Sequence, residues 1–92
     1  MTVVTDDAGE VEATLRAVLG DVLGLDAARV ADFDDSTPLF GALPEFDSMA
    51  VAGLLTELEE RLGILIEDHE VEAEMMESFG ALLSFARAKA LR

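Results

Sequence analysis

Ninety-two residues suffice for one domain with one modest core, since a chain of this size buries about 60 to 65% of its unfolded surface. Twenty acids against six bases give a net charge of -14, which repels nucleic-acid phosphates and anionic headgroups and leaves basic protein surfaces as partners. No cysteine is present, so disulfides, thiolate chemistry and cysteine-type zinc sites are excluded.

Nothing approaches the roughly 20 apolar residues that span a bilayer. Met1-Thr2-Val3-Val4-Thr5-Asp6-Asp7 has neither the basic region nor the apolar core of a signal peptide. The chain reads as a cytoplasmic single domain over 1–92, with 1–9 a flexible N-terminal segment and with like charge favouring a monomer. Half the residues are apolar, with many Leu, Ala and Glu, and both prolines lie in Thr37–Pro44, so helix is favoured elsewhere.

From Val11 the apolar residues Val11, Leu15, Val18, Leu19, Val22 and Leu23 trace one face of a first helix. Asp6, Asp7, Glu10 and Glu12 suit the positive end of its dipole, and Gly24 is a good stop. Residues 25–46 have no sustained period; Leu25, Val30, Phe33, Leu39, Phe40 and Leu43 are anchors that predict a loop packed along the bundle. Within it Thr37-Pro38 predicts a short helical turn ended by Gly41 and Pro44.

A second long helix is predicted over Ser48–Leu62, with Met49, Val51, Ala52, Leu54, Leu55, Leu58 and Leu62 on a broad apolar face and Gly63 as its end. Ile64-Leu65-Ile66 crosses back over the core, and Val71 to Met76 offers a short third helix whose Met75 and Met76 suit an adaptable groove. Ser78 reads as the cap of a last helix with Phe79, Leu82, Leu83, Ala86 and Ala90 on one face. Arg87, Lys89 and Arg92 match its negative end.

Asp47-Ser48 precedes the most regular apolar run, and both residue types cap helices by accepting bonds from free backbone N–H groups. A nucleophile elbow needs glycine at positions 46 and 50, where Phe46 and Ala50 stand, and the sole histidine, His69, lies among acids. The acids Asp32, Asp34 and Asp35 miss the calcium-loop spacing, with Thr37 and Leu43 where glycine and glutamate are needed. Catalytic and metal residues are therefore assigned as none. Residues 45–77 hold eleven acids and one base, Arg61, and so suggest a docking surface around Ser48.

In order and spacing, Leu23-Gly24-Leu25, Ser36-Thr37-Pro38-Leu39-Phe40, Phe46-Asp47-Ser48-Met49, Leu58-Glu59-Glu60-Arg61-Leu62-Gly63-Ile64 and the capped last helix from Ser78 resemble the acyl carrier protein family. The resemblance covers Val11 to about Leu91 and implies an all-α four-helix bundle of three long helices and one short one, with a long structured loop between the first two. It implies no enzyme. A phosphopantetheinyl transferase moves 4'-phosphopantetheine from coenzyme A onto Ser48, and acyl groups travel on it as thioesters. Asp47 belongs to the motif and caps the helix, while Glu45, Met49, Glu57, Glu59 and Glu60 contact the transferase and the acyl-loading and acyl-transferring enzymes.

Glu45 and Met49 stand where many members have glycine and leucine, and Gly53 replaces a common acid; these departures bear on which transferase and which synthases recognise the chain. Pro44-Glu45-Phe46-Asp47-Ser48-Met49 looks more like stand-alone carriers of specialised bacterial gene clusters, such as exosortase-associated ones. Two alternatives accompany this reading. One is a peptidyl or amino-acyl carrier of the same fold; the other is an acidic helical adaptor in which Ser48 is only a helix cap.

Overall fold

The structure, a computed structural model, describes residues 7–91. Helix α1 spans Asp7–Leu23, α2 Ala27–Ala31, α3 Ser48–Leu62 and α4 Phe79–Ala90, with 3-10 turns at Asp68–Glu70 and Ala73–Met76 between the last two. This is the expected all-helical bundle of three long helices. No helix among the described residues is long and apolar enough to cross a membrane.

α1 and α4 bury most of the stripe that their periodicity predicted, whereas α3 buries only Leu54 and Leu58 of its expected broad face and leaves Met49 and Ala52 exposed. Val11, Leu15, Val18, Leu19 and Leu23 of α1, Leu54 and Leu58 of α3, and Phe79, Leu82, Leu83 and Ala86 of α4 form one core. α1 packs against both α3 and α4. It begins at Asp7, earlier than the segment 1–9 allowed, while residues 1–6 of that segment lie outside the described residues.

Two glycines have backbone reasons. Gly63 adopts φ 65° and closes α3 as a left-handed cap whose N–H donates to the Glu59 carbonyl. Gly80 lies so close to the loop that a Cβ there would come within 2.7 Å of the Asp35 carbonyl oxygen, to which its own N–H donates at 3.0 Å.

The loop from 24 to 47 differs in detail from its sequence reading. It contains α2, whose Val30 is buried, and the turn predicted to start at Thr37-Pro38 starts later, at Leu39, whose carbonyl accepts from Ala42 and Leu43 N–H at 3.0 and 2.9 Å. Pro38 instead pairs with Ser78 in an isolated antiparallel bridge. Leu39 N–H donates to the Glu77 carbonyl, Phe40 N–H to that of Met76, and Phe79 N–H to that of Thr37, each at 2.9 Å. The reason is reciprocal need: both stretches carry backbone groups with no partner of their own, and pairing satisfies them together. The Thr37 hydroxyl is engaged with Asp34, whose carboxylate also accepts from Ser36, so the cap that was expected to start the turn is used inside the preceding one.

Arg16 ties the loop to the helices. Its guanidinium donates to the carbonyls of Val30 and Phe33, pairs with Glu12 at 2.7 Å and lies 4.4 Å above the centre of the Phe79 ring. The side chain is only a quarter exposed, so these bonds satisfy a charge largely withdrawn from water.

Candidate functional site

The end of the loop is anchored two residues before α3. Phe46 is buried, its N–H donates to the Leu43 carbonyl, and the Phe40 ring meets it edge-on at 5.7 Å. Asp47 follows in extended conformation, and its Oδ1 accepts from Ala50 N–H at 2.9 Å. Asp47 is therefore the cap of α3, as expected. Ser48 is the first helical residue, exposed, with no hydrogen-bond partner for its hydroxyl among the described residues. Ser48 is thus not the cap that the adaptor reading made it, because the neighbouring carboxylate already holds the N–H a capping serine would reach.

An open, predominantly apolar cleft of about 240 Å³ lies directly beside Ser48, lined further by Phe40, Val51, Val71, Glu72, Ala73 and Met76. Of the methionines expected at a groove, Met76 lines this one, whereas Met75 packs into the core. The 3-10 turn Ala73–Met76 supplies the far wall. The contributions of Phe40, Val51 and Val71 had no signal in the sequence, because they converge from three separate segments.

The acids expected to surround the site divide by what they touch. Glu45 pairs with Arg29 at 3.2 Å, and its own backbone N–H together with that pairing holds its carboxyl below the usual range. Glu57 pairs with Arg61 at 2.9 Å, and Arg61 reaches on to Asp21 at 2.8 Å, joining α3 to α1; bonds to Asp21 and Glu57 push the Arg61 pKa up. Glu59 accepts from Ile66 N–H at 2.8 Å and so holds the chain where it leaves α3. Glu60 alone of the α3 acids is exposed with no partner among the described residues.

Met49, next to Ser48, is 84% exposed, and the outer face of α3 continues through Ala52 and Thr56 to Glu60. The helix face nearest Ser48 is thus neutral for its first two turns, so the acids counted over 45–77 do not lie on that face. Among the described residues Glu72, on the far wall of the cleft, and Glu74 and Glu77, which follow it in sequence, are exposed acids with no ion-pair partner. Met49 belongs to the exposed side and not to the core face on which its spacing placed it; it sits in the first turn of α3. His69 stands exposed in the turn Asp68–Glu70 and does not line the cleft.

The phosphopantetheine attachment site family matches residues 13–84. The chain is also similar to the holo acyl carrier protein from Nitrosomonas europaea solved by solution NMR, at 39% sequence identity and a TM-score of 0.75, over 86% of this chain and 93% of that one. No curated protein matches the chain. The chain belongs to the phosphopantetheine attachment site family. It is a carrier of the acyl carrier protein type, not an enzyme, and bears a covalently bound 4'-phosphopantetheine group.

Proposed function

We propose that Ser48 holds the 4'-phosphopantetheine group and that the cleft beside it receives the attached cargo. The observation that carries this reading is the division of labour at the start of α3: Asp47 does the capping, which leaves the Ser48 hydroxyl exposed, uncommitted and on the lip of an apolar cleft. The residues fit the group. A phosphodiester on Ser48 would lie at the N-terminus of α3, the positive end of the helix dipole, which favours a negative charge there by about 0.3 to 1 kcal/mol. When bound, the group supplies the terminal thiol that a chain without cysteine lacks and carries acyl groups as thioesters.

Attachment is done to this chain by a phosphopantetheinyl transferase. The Ser48 oxygen forms a bond to the phosphorus at the pantetheine end of coenzyme A, the pyrophosphate P–O bond breaks, and adenosine bisphosphate leaves as the hydroxyl proton passes to the transferase. Phe46 and Asp47 position Ser48 for this from behind, since one is buried and the other is bonded to the helix backbone. Of the residues expected to contact partners, Met49 and Glu60 are free to meet one, while Glu45, Glu57 and Glu59 act in docking only through the charge they leave beyond their own contacts. Partners with basic surfaces suit a chain of charge -14.

Intact mass after incubation with coenzyme A and broad-specificity transferases tests this reading. A gain of one phosphopantetheine unit is expected, lost in Ser48→Ala; a gain that persists in that variant, or no gain with several transferases, overturns it. Glu60→Lys should slow partner association and flatten its salt dependence.

A further inference from the structure

The cleft has two unlike walls. α3 is a continuous helix, but the facing stretch Val71–Ala73 begins with two residues, Val71 and Glu72, that belong to no element and connect two 3-10 turns, the second starting at Ala73. It is held at its two ends. At one end Met76 is buried and its carbonyl accepts from Phe40 N–H, followed by Leu39 N–H to Glu77. At the other, Glu70 pairs with Lys89 in the last turn of α4, 2.8 Å apart, with the side chains only 23% and 15% exposed. Between these fastenings Glu72 and Ala73 are exposed, and Val71 leans on the core.

We propose that the Glu70–Lys89 ion pair is a length-setting fastening for the cargo: it fixes the wall Val71–Ala73 against α4 and thereby limits how long an acyl chain the cleft beside Ser48 shelters. This rests on the attachment and cleft reading above. The physical argument is local. Backbone that lacks helical hydrogen bonds opens with little free energy unless side chains pin it. Here one pin is a backbone pair to the loop that substitution cannot easily remove; at the other the backbone bonds are local, Glu70 N–H to the Glu67 carbonyl and Val71 N–H to that of Asp68, and the polar tie to α4 is the Glu70–Lys89 contact. The pair is shielded enough to exceed the usual weak surface bridge, and Lys89 holds the Glu70 carboxyl below its ordinary range. Loosening it frees the wall at its Val71 end while Met76 stays fixed, so the cleft lengthens without losing its floor.

The test loads acetyl-, hexanoyl-, octanoyl-, decanoyl- and dodecanoyl-phosphopantetheine onto the full chain from the matching acyl coenzymes A, with intact mass as the record of loading. The gain in thermal midpoint from each acyl group is then read against chain length. In the parent the gain should rise with length and then level off; in Lys89→Met and Glu70→Gln the levelling should move to longer chains, and Lys89→Arg should restore the parent profile. Amide exchange of Val71–Ala73 in the unloaded variants should be faster than in the parent, with that of α3 unchanged. A levelling point at the same or shorter length in the loaded variants overturns the fastening and leaves the carrier reading intact. Failure of the parent to gain mass overturns the carrier reading itself, and with it this one. If neither charge-removing variant folds, the pair is a general structural tie and the inference falls.

Discussion

The two walls of the cleft are built by opposite means. α3 is closed by local devices, Asp47 at its start and Gly63 at its end, and it buries Leu54 and Leu58 at helical spacing. Residues 64–78 obey no single period; their shape comes from partners distant in sequence, Glu59 to Ile66, Lys89 to Glu70, and Phe40 and Leu39 to Met76 and Glu77. One wall is therefore rigid by itself and the other only through what it leans on. A carrier needs this asymmetry, because the attachment point must be presented in a fixed position while the space beside it accepts cargo.

Leu58→Ala should break the rigid wall most severely, with a loss of about 2 to 5 kcal/mol in chemical denaturation, since Leu58 is fully buried. Gly80→Ala strikes the support of the other wall. A Cβ against the Asp35 carbonyl forces the loop and the start of α4 apart, at a cost of about 1 to 3 kcal/mol, read as a lower midpoint and faster amide exchange at Leu39 and Phe40. Asp47→Ala should cost about 0.5 to 2 kcal/mol as a lost cap. Ser48→Ala, by contrast, should change stability by no more than about 0.5 kcal/mol, and a cap-sized loss there would show that the two residues share the capping role.

The smallest effect is in pH. The Glu70 carboxyl is depressed in the folded chain, chiefly by the hydrogen bond from Lys89. A depressed folded pKa contributes stability above the unfolded value, near 4.5, and that contribution is lost as pH falls through the folded value. The stability difference between the parent and Glu70→Gln should thus be full at neutral pH and shrink in acid, as followed by thermal midpoints across that range. A difference that stays constant would show that the Glu70 charge contributes nothing to the folded state.

The same asymmetry explains what was legible in the sequence. The three long helices, their stops and caps and the buried stripes follow from spacing, because a helix satisfies its backbone within a few residues and its buried face repeats with the helical turn. Asp47-Ser48 was legible as a motif for the same reason. The assignment of the cap to Asp47 alone needed the structure, since both side chains are chemically able to do it and only backbone geometry selects one. α2, the Pro38–Ser78 bridge, the clasp of Arg16 on the loop carbonyls and the cleft itself were not legible, because each joins residues that no local period relates. Charge shows the difference most plainly. Composition by itself determined an excess of acid that points to basic partners; only the tertiary structure decided which acids are free, by bringing Arg29 to Glu45, Arg61 to Asp21 and Ile66 N–H to Glu59.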